Sequence, residues 1–243
     1  MHKIQILPGI NKTGQAETFE EITLCSGSLL AVVGNTGAGK SRLIQDIEQL
    51  VHRNSVSKRI VTLDGKGCRE EQHQGLIAHL GQNMRFMLDT TVEAFLTLHN
   101  QCRNKQVAIA EVLQLANTIT AESVQEHMLL NLLSGGQSRA LMIADIALIC
   151  DSPIVLIDEI ENAGIDKVKA LQALLRQDKL VIMVTHDPHT ALMAEQRIVM
   201  QNGGIMKRIF RSEKEKELYE EMSQQYQRTL HWQQTLRQGG VLA

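Results

Sequence analysis

The chain is poor in aromatic residues: Phe, Trp and Tyr make up 3% of its 243 residues, against 43% hydrophobic overall, so its core must be mostly aliphatic. It also lacks an excess of charge. A formal net charge of -2 and a pI near 6.5 give the molecule as a whole no electrostatic pull toward nucleic acid or an anionic membrane, so nucleic acid is not an expected partner. Cysteine is sparse and unpaired in spacing. Cys25, Cys68, Cys102 and Cys150 form no C-x-x-C pair, which points to neither a zinc site nor a disulfide framework and leaves free buried thiols in a reducing cytoplasm as the expectation. No stretch approaches 18 uncharged apolar residues, and MHKIQILPGI lacks an apolar region long enough for a signal peptide. The chain is therefore not expected to span a membrane by itself. Its length suits one large domain or two small ones.

What the chain does have is Gly34-Asn35-Thr36-Gly37-Ala38-Gly39-Lys40-Ser41, which fits the phosphate-loop spacing G-x-x-x-x-G-K-[ST]. Ser28 to Val33 before it is an apolar run of strand length. Arg42 to Val51 after it carries Leu43, Ile44, Ile47, Leu50 and Val51 at helical spacing. Strand, glycine loop and helix are in the required order. Backbone N–H groups must close around phosphate oxygens, so side chains at Gly37 or Gly39 would hold the phosphate away. The helix opening at Arg42 adds positive potential at its N-terminus. Lys40 would reach the β- and γ-phosphates, and the Ser41 hydroxyl would coordinate the bridging magnesium.

Elsewhere the pattern alternates. Strands are expected at 2–7, 18–24, 59–65 and 76–80, with a polar stretch between the last two. From Thr91 to about Leu133 the apolar spacing turns helical, and a nearly apolar helix follows over 138–150. Ile154 to Ile157 is a fully apolar run, the pattern of a parallel strand covered on both faces, and Leu180 to Thr185 is expected as a second buried strand. Helices are expected at 167–176 and 190–195, and a further strand at 197–200 ends in the turn Asn202-Gly203-Gly204. Strands alternating with helices predict an α/β fold with a largely parallel sheet. Ligands of such sheets bind beyond the carboxyl ends of the strands, where Ser41, Gln82, Asp158 and His186 would gather. In the tail, Ser212 and Glu215 satisfy a capping box. Tyr219, Met222, Tyr226, Leu230 and Gln233 then trace one helical face, which either folds back on its own domain or binds a partner.

GNTGAGKS, Gln82, LSGGQ at 133–137, IVLIDE at 154–159 and THD at 185–187 together resemble the ATP-binding cassette (ABC) ATPases over residues from about 18 to 206. The resemblance implies a P-loop NTPase fold of ABC type: a mixed, largely parallel sheet core, a small antiparallel β subdomain and a helical insert of about 84–145. The ATPase domain would be 1–211 and a C-terminal helical extension 212–243. It implies ATP and magnesium as ligands. Gln82 would contact magnesium and the attacking water, Asp158 would hold magnesium through water, and Glu159 would act as general base. His186 would orient the γ-phosphate, and Asp166 would communicate across a dimer. In that family Ser134, Gly135 and Gly136, with Gln137 completing the motif, cap the γ-phosphate held by a second cassette, giving a head-to-tail homodimer or a pair with a homologous cassette. Residue chemistry agrees: phosphoryl transfer to water is served by one metal-holding and one water-polarising carboxylate, and adjacent Asp158 and Glu159 point to opposite sides while a strand lasts.

The chain also departs from the family. The residue registering with the ring that stacks adenine lies near Thr13, where no aromatic occurs. Arg42 stands for a threonine and Ile160 for a proline, and the segment up to Asp166 is about one residue longer than usual. Weak base selectivity is the expectation. Thr91-Val92-Glu93 and VTHDPHTALMAEQRIVMQNGGI are similar to transporter cassettes and favour an ATPase subunit, cytoplasmic and peripheral on the inner face of the plasma membrane, that powers separate membrane-embedded subunits. Those subunits would contact the face from Gln82 to Leu96, where Met84, Phe86, Met87 and Leu88 surround Arg85. The alternative is a soluble ABC ATPase that switches or matures a partner protein or acts on DNA; Ile160-Glu161-Asn162 is reminiscent of such cassettes. The segment 83–132 is too short for the long coiled-coil arms of DNA-repair members.

Overall fold

The computed structural model describes residues 2–65, 75–82 and 84–242; Cys68 and most of the polar stretch before Gly75 lie outside the described residues. Its frame is a six-stranded sheet with order β5-β6-β7-β3-β8-β9, built from β3 (Leu29–Val33), β5 (Ile77–Leu80), β6 (Ile154–Asp158), β7 (Leu180–Val184), β8 (Gln196–Gln201) and β9 (Gly204–Phe210). All pairings are parallel except β8 with β9. Because side chains alternate along a strand, the central strands feed two cores. Leu30, Val32, Leu156 and Ile182 point to one, Ala31, Val155, Ile157 and Met183 to the other.

The first core is closed by α1 (Lys40–Glu48), through Leu43, Ile44 and Ile47, and by a small antiparallel sheet. That sheet has the order β2-β1-β4, from β1 (Lys3–Leu7), β2 (Ile22–Cys25) and β4 (Ile60–Leu63). A fully buried Arg59 joins the parts. Its guanidinium pairs with Glu17, donates to Asp46 Oδ2 on α1 at 2.9 Å and to the Gly203 carbonyl at 2.9 Å in the β8–β9 turn. Charges survive such burial only when paired and hydrogen-bonded, and all three are.

The second core is closed by α2 (Val92–Cys102), α3 (Ile109–Ile119), α4 (Gly135–Leu148) and α5 (Lys167–Leu175). α6 (Pro188–Met193) follows β7, and α7 (Glu213–Arg237) packs along α6. The capping box at Ser212 and Glu215 is formed. α7 is only half-buried along Tyr219, Met222, Tyr226 and Leu230, and Gln233 is exposed.

Several boundaries differ from the sequence expectation. The strand expected at 18–24 is confined to β2, because the Glu17 carboxylate turns inward to Arg59, to Gly9 N at 2.9 Å and to Ile205 N, drawing the preceding chain out of the ladder. α4 begins at Gly135 rather than 138: Ser134 caps it, so the two glycines lie inside the helix. β9 was not expected. It is an edge strand whose Lys207 and Arg208 break the apolar alternation, and it is set by the hairpin turn in which Asn202 (φ 49°) and Gly203 (φ 80°) are both left-handed. The expectation of buried thiols fails at Cys102, which is exposed at the end of α2; Cys150 is buried and Cys25 half-buried.

Candidate active site

The phosphate loop leaves the carboxyl end of β3 and enters α1 in a conformation reserved for glycine. Gly39 has φ 102°, and a Cβ there would stand 2.7 Å from Gly203 Cα. The loop is thus pressed against the β8–β9 turn, with Gly203 N donating to the Ala38 carbonyl at 2.8 Å. Ala38 N closes a turn on Asn35 O at 3.0 Å. Lys40 is buried and curls into the loop, its Nζ donating to Gly34 O at 2.8 Å and Asn35 O at 3.1 Å. Burial lowers its pKa, while nearby Glu159 and Asp158 favour the charged form and offset part of that shift. A second cation, Lys12, donates to Gly37 O at 2.8 Å. Ser41 is exposed in the first turn of α1. Arg42 runs back along the helix, with Nε 3.6 Å from Asp46 Oδ1. Beside the loop lies a hollow of about 410 Å³ lined by Gly34, Asn35, Thr36, Gly37, Ala38, Met206 and 199–202, without a ring among them.

The parallel register brings the other candidates to the same edge. Gln82 lies two residues beyond β5, Asp158 ends β6, and His186 lies two residues beyond β7. Glu159 is their meeting point. Gln82 Nε2 donates to Glu159 Oε2 at 2.6 Å, and His186 Nε2 stands 3.8 Å from Glu159 Oε1. Glu159 itself is left-handed (φ 50°, ψ 67°), a conformation that costs a non-glycine residue roughly 1–2 kcal/mol. Its N–H is held by the Val184 carbonyl at 3.0 Å, which fixes the strained turn against β7. Strain of this kind is kept where a side chain must be aimed.

For a metal, the donors on offer at this edge are hard oxygens: the Ser41 hydroxyl, the Asp158 carboxylate and the Gln82 Oε1, left available because Nε2 faces Glu159. Among the described residues no three His, Cys, Asp or Glu side chains gather into a metal cage. Such a set suits a small hard cation that shares its coordination with phosphate oxygens and water.

Two residues to which the sequence reading gave no place in the site organise this edge. Arg139, 6% exposed on α4, donates to the carbonyls of Gln82 (3.0 Å), Gly81 (3.1 Å) and Asp158 (3.0 Å). Burial lowers its pKa, and Asp158 and Glu161 oppose that shift. Glu161 accepts from Thr185 Oγ1 at 2.9 Å and from His186 N at 3.1 Å, fixing the loop that carries His186. The available signal was a lone arginine in an otherwise nearly apolar helix, since a cation there must find acceptors.

LSGGQ stands apart from this cluster. Ser134 Oγ accepts from Gln137 N at 3.2 Å and donates to Glu122 Oε2 at 2.6 Å, while Gln137 Oε1 accepts from Ser134 N at 2.9 Å. A Cβ on Gly135 would meet nothing within 4 Å. Among the described residues, no hydrogen bond links Ser134, Gly135, Gly136 or Gln137 to the phosphate loop. Asp166 caps α5, accepting from Val168 N at 3.1 Å and Lys169 N at 3.3 Å.

Comparison with known proteins bears on the same segments. A family model described as "ABC transporter" matches residues 21–162. The chain is 47% identical over 222 residues to an uncharacterized ABC transporter ATP-binding protein of Methanocaldococcus jannaschii, covering 89% of this chain and 85% of that one. It is 30% identical over 220 residues to the energy-coupling factor transporter ATP-binding protein EcfA2 of Latilactobacillus sakei, covering 82% and 73%. Among solved structures, a bacterial Atm1-family ABC exporter with ATP bound shares the fold, with a TM-score of 0.59 at 17% identity over 85% of this chain. This chain spans only 38% of that exporter chain. A phosphate loop, a strained carboxylate beside it and relatives matched along most of their length lead to one assignment: the chain belongs to the ABC transporter family and is an ATP-binding cassette ATPase.

Proposed function

We propose that the chain works as the ATP-hydrolysing subunit of a membrane transporter, closing head to tail on ATP with a second copy or a homologous cassette. The supporting observation is the segment that follows Gln82. Met87 is 90% exposed, with Met84 and Leu88 about half exposed, while Phe86 packs inward edge-on against Phe95 at 5.1 Å. An apolar surface anchored this way, one bond from Glu159 through Gln82, suits a permanent partner that senses the nucleotide. Among the described residues no helix is long and apolar enough to cross a membrane; the partner proposed is a set of membrane-embedded transporter subunits.

In the hydrolytic cycle Lys40 would exchange the carbonyls of Gly34 and Asn35 for phosphate oxygens, moving positive charge onto the phosphates. Glu159 would take the proton from the water that attacks the γ-phosphorus as the bond to ADP breaks, leaving ADP and phosphate. Gln82 and His186 hold the Glu159 carboxylate in line for that transfer. Magnesium, held by Ser41, Gln82 and Asp158, would neutralise phosphate charge. Ser134, Gly135 and Gly136 of a second copy would supply N–H donors from a helix N-terminus, and Asp166 would lie between the copies.

The test is membrane fractionation and affinity capture from cells. Wild-type protein should sediment with membranes and recover membrane-embedded subunits, and Met87→Asp should release it while leaving basal ATPase activity. Recovery of soluble proteins or DNA alone would refute the transport reading and support the alternative of a soluble switch.

A further inference from the structure

α7 is absent from the hydrolytic scheme, yet its docked face lands on the Asp166–Lys167 turn and on His189 in α6, three residues after His186. The Tyr226 hydroxyl accepts from Lys167 N at 3.2 Å and lies 3.5 Å from Asp166 Oδ1. Its ring lies beneath Lys167 Nζ at 4.8 Å. That ammonium pairs with Asp187, the residue after His186, and Asp187 also caps α6 through Thr190 N at 2.7 Å. His189 also meets this ring, 5.0 Å from Tyr226, and is stacked on Tyr219 at 5.3 Å and 9°. His189 is fixed in one tautomer. Ser223 Oγ donates to the Tyr219 carbonyl at 2.7 Å, so it must accept from His189 Nε2–H at 3.0 Å.

We propose that Tyr226 is a positioning residue for ATP hydrolysis: from α7 its hydroxyl holds the Asp166–Lys167 turn, whose Lys167 pairs with Asp187, and its ring meets His189 in the first turn of α6, so that the His186–Asp187 loop between them is held in register with Glu159. The proposal rests on the ATPase reading of His186. A helix that merely covered apolar surface would bury apolar side chains, whereas no α7 residue is buried and its hydrogen bonds to the rest of the chain join Glu215 to Arg197, Ser223 to His189 and Tyr226 to the Asp166–Lys167 turn. The clamp joins groups 59 and 34 residues apart in sequence, Lys167 to Tyr226 and His189 to Ser223, and adds to the Lys167–Asp187 pair and the Glu161 bonds to Thr185 and His186 that also tie the two loops. Loss of a hydrogen bond that aligns a reacting constellation appears in turnover, and loss of one that only stabilises the fold appears in melting.

Tyr226→Phe keeps the ring, its tilted contact with His189 and its position under Lys167, and removes only the hydroxyl. The expected result is a roughly 3- to 10-fold fall in kcat, the size of one net hydrogen bond, with KM for ATP within about twofold of wild type. Tyr226→Ala should lower kcat further. Unchanged kcat in Tyr226→Phe, or a raised KM at wild-type kcat, would overturn the proposal, as would a Tyr226→Ala protein that melts lower but turns over normally. His186→Ala, measured alongside, separates the two layers. If it hydrolyses ATP at the wild-type rate, the reading of His186 fails; if it is inactive and Tyr226→Phe is normal, only the clamp fails.

Discussion

Arg139→Leu keeps most of the side-chain volume and deletes three donors, which makes it the sharpest probe of how the signature helix is wired to the catalytic edge. Hydrogen bonds from a charged donor contribute about 1.5–3 kcal/mol each, and their full sum is not lost, because such terms are not additive. The carbonyls of Gly81 and Gln82 sit in a partly exposed segment and can regain water, whereas that of Asp158 ends a central strand. A net loss of about 2 kcal/mol in stability follows, and in a domain of this size that corresponds to a fall in Tm of roughly 4–8 °C. Catalysis should suffer more. Gln82 and Asp158 would lose their common anchor, and a displacement near 1 Å costs on the order of 100-fold in rate. ATP affinity should change little, since among the described residues Lys40 and its loop make no bond to Arg139. Arg139→Lys should recover only part of the rate, because a point charge cannot reach three carbonyls in a fork. Phosphate release, ATP titration and calorimetry on the same protein give all three numbers. A folded Arg139→Leu protein with wild-type kcat, or one whose ATP affinity falls in step with its rate, would refute the wiring.

Lys40→Ala should abolish ATP binding in a titration while leaving Tm within a few degrees, because it removes two hydrogen bonds together with the burial penalty that lowers the lysine's pKa. With no ring lining the hollow beside the loop, ATP and GTP should compete nearly equally; the absent stacking of about 1–3 kcal/mol also weakens affinity by roughly 5- to 150-fold, and a strong ATP preference would contradict this. Burial and the nearby Lys167, partly opposed by Asp187, depress His189 below its ordinary 6.5, so the unfolded chain binds its proton more tightly. The stability this linkage contributes is complete above about pH 6.5 and is lost as pH falls through the lower folded value. Wild type should therefore lose Tm between neutral pH and the carboxylate range, where Asp187 and Glu215, both depressed, begin to contribute; His189→Phe should be flat across the upper part of that window.

The phosphate loop, the parallel strands and the clustering of Gln82, Asp158, Glu159 and His186 were legible because each depends on local pattern: glycine spacing, apolar runs and polar residues at strand ends. Arg59, Arg139 and Glu161 were not, since a buried charge is defined by partners up to 144 residues away, as with Arg59 and Gly203. β9 escaped because an edge strand owes its place to one hairpin turn and needs no alternation of its own. The docked face of α7 was visible as a stripe, but its target was not, because helical periodicity names the face and says nothing about what it meets.

The most direct measurement is ATP turnover by Glu159→Gln, with molecular mass measured in ATP. The amide keeps the shape and can still meet Gln82 and His186, but it cannot accept the water's proton. Hydrolysis should fall by about 100-fold or more while ATP still binds, and the ATP-bound protein should have twice the monomer mass. Turnover near the wild-type rate would mean that Glu159 is not the base. A monomer in saturating ATP would instead contradict closure on a second cassette.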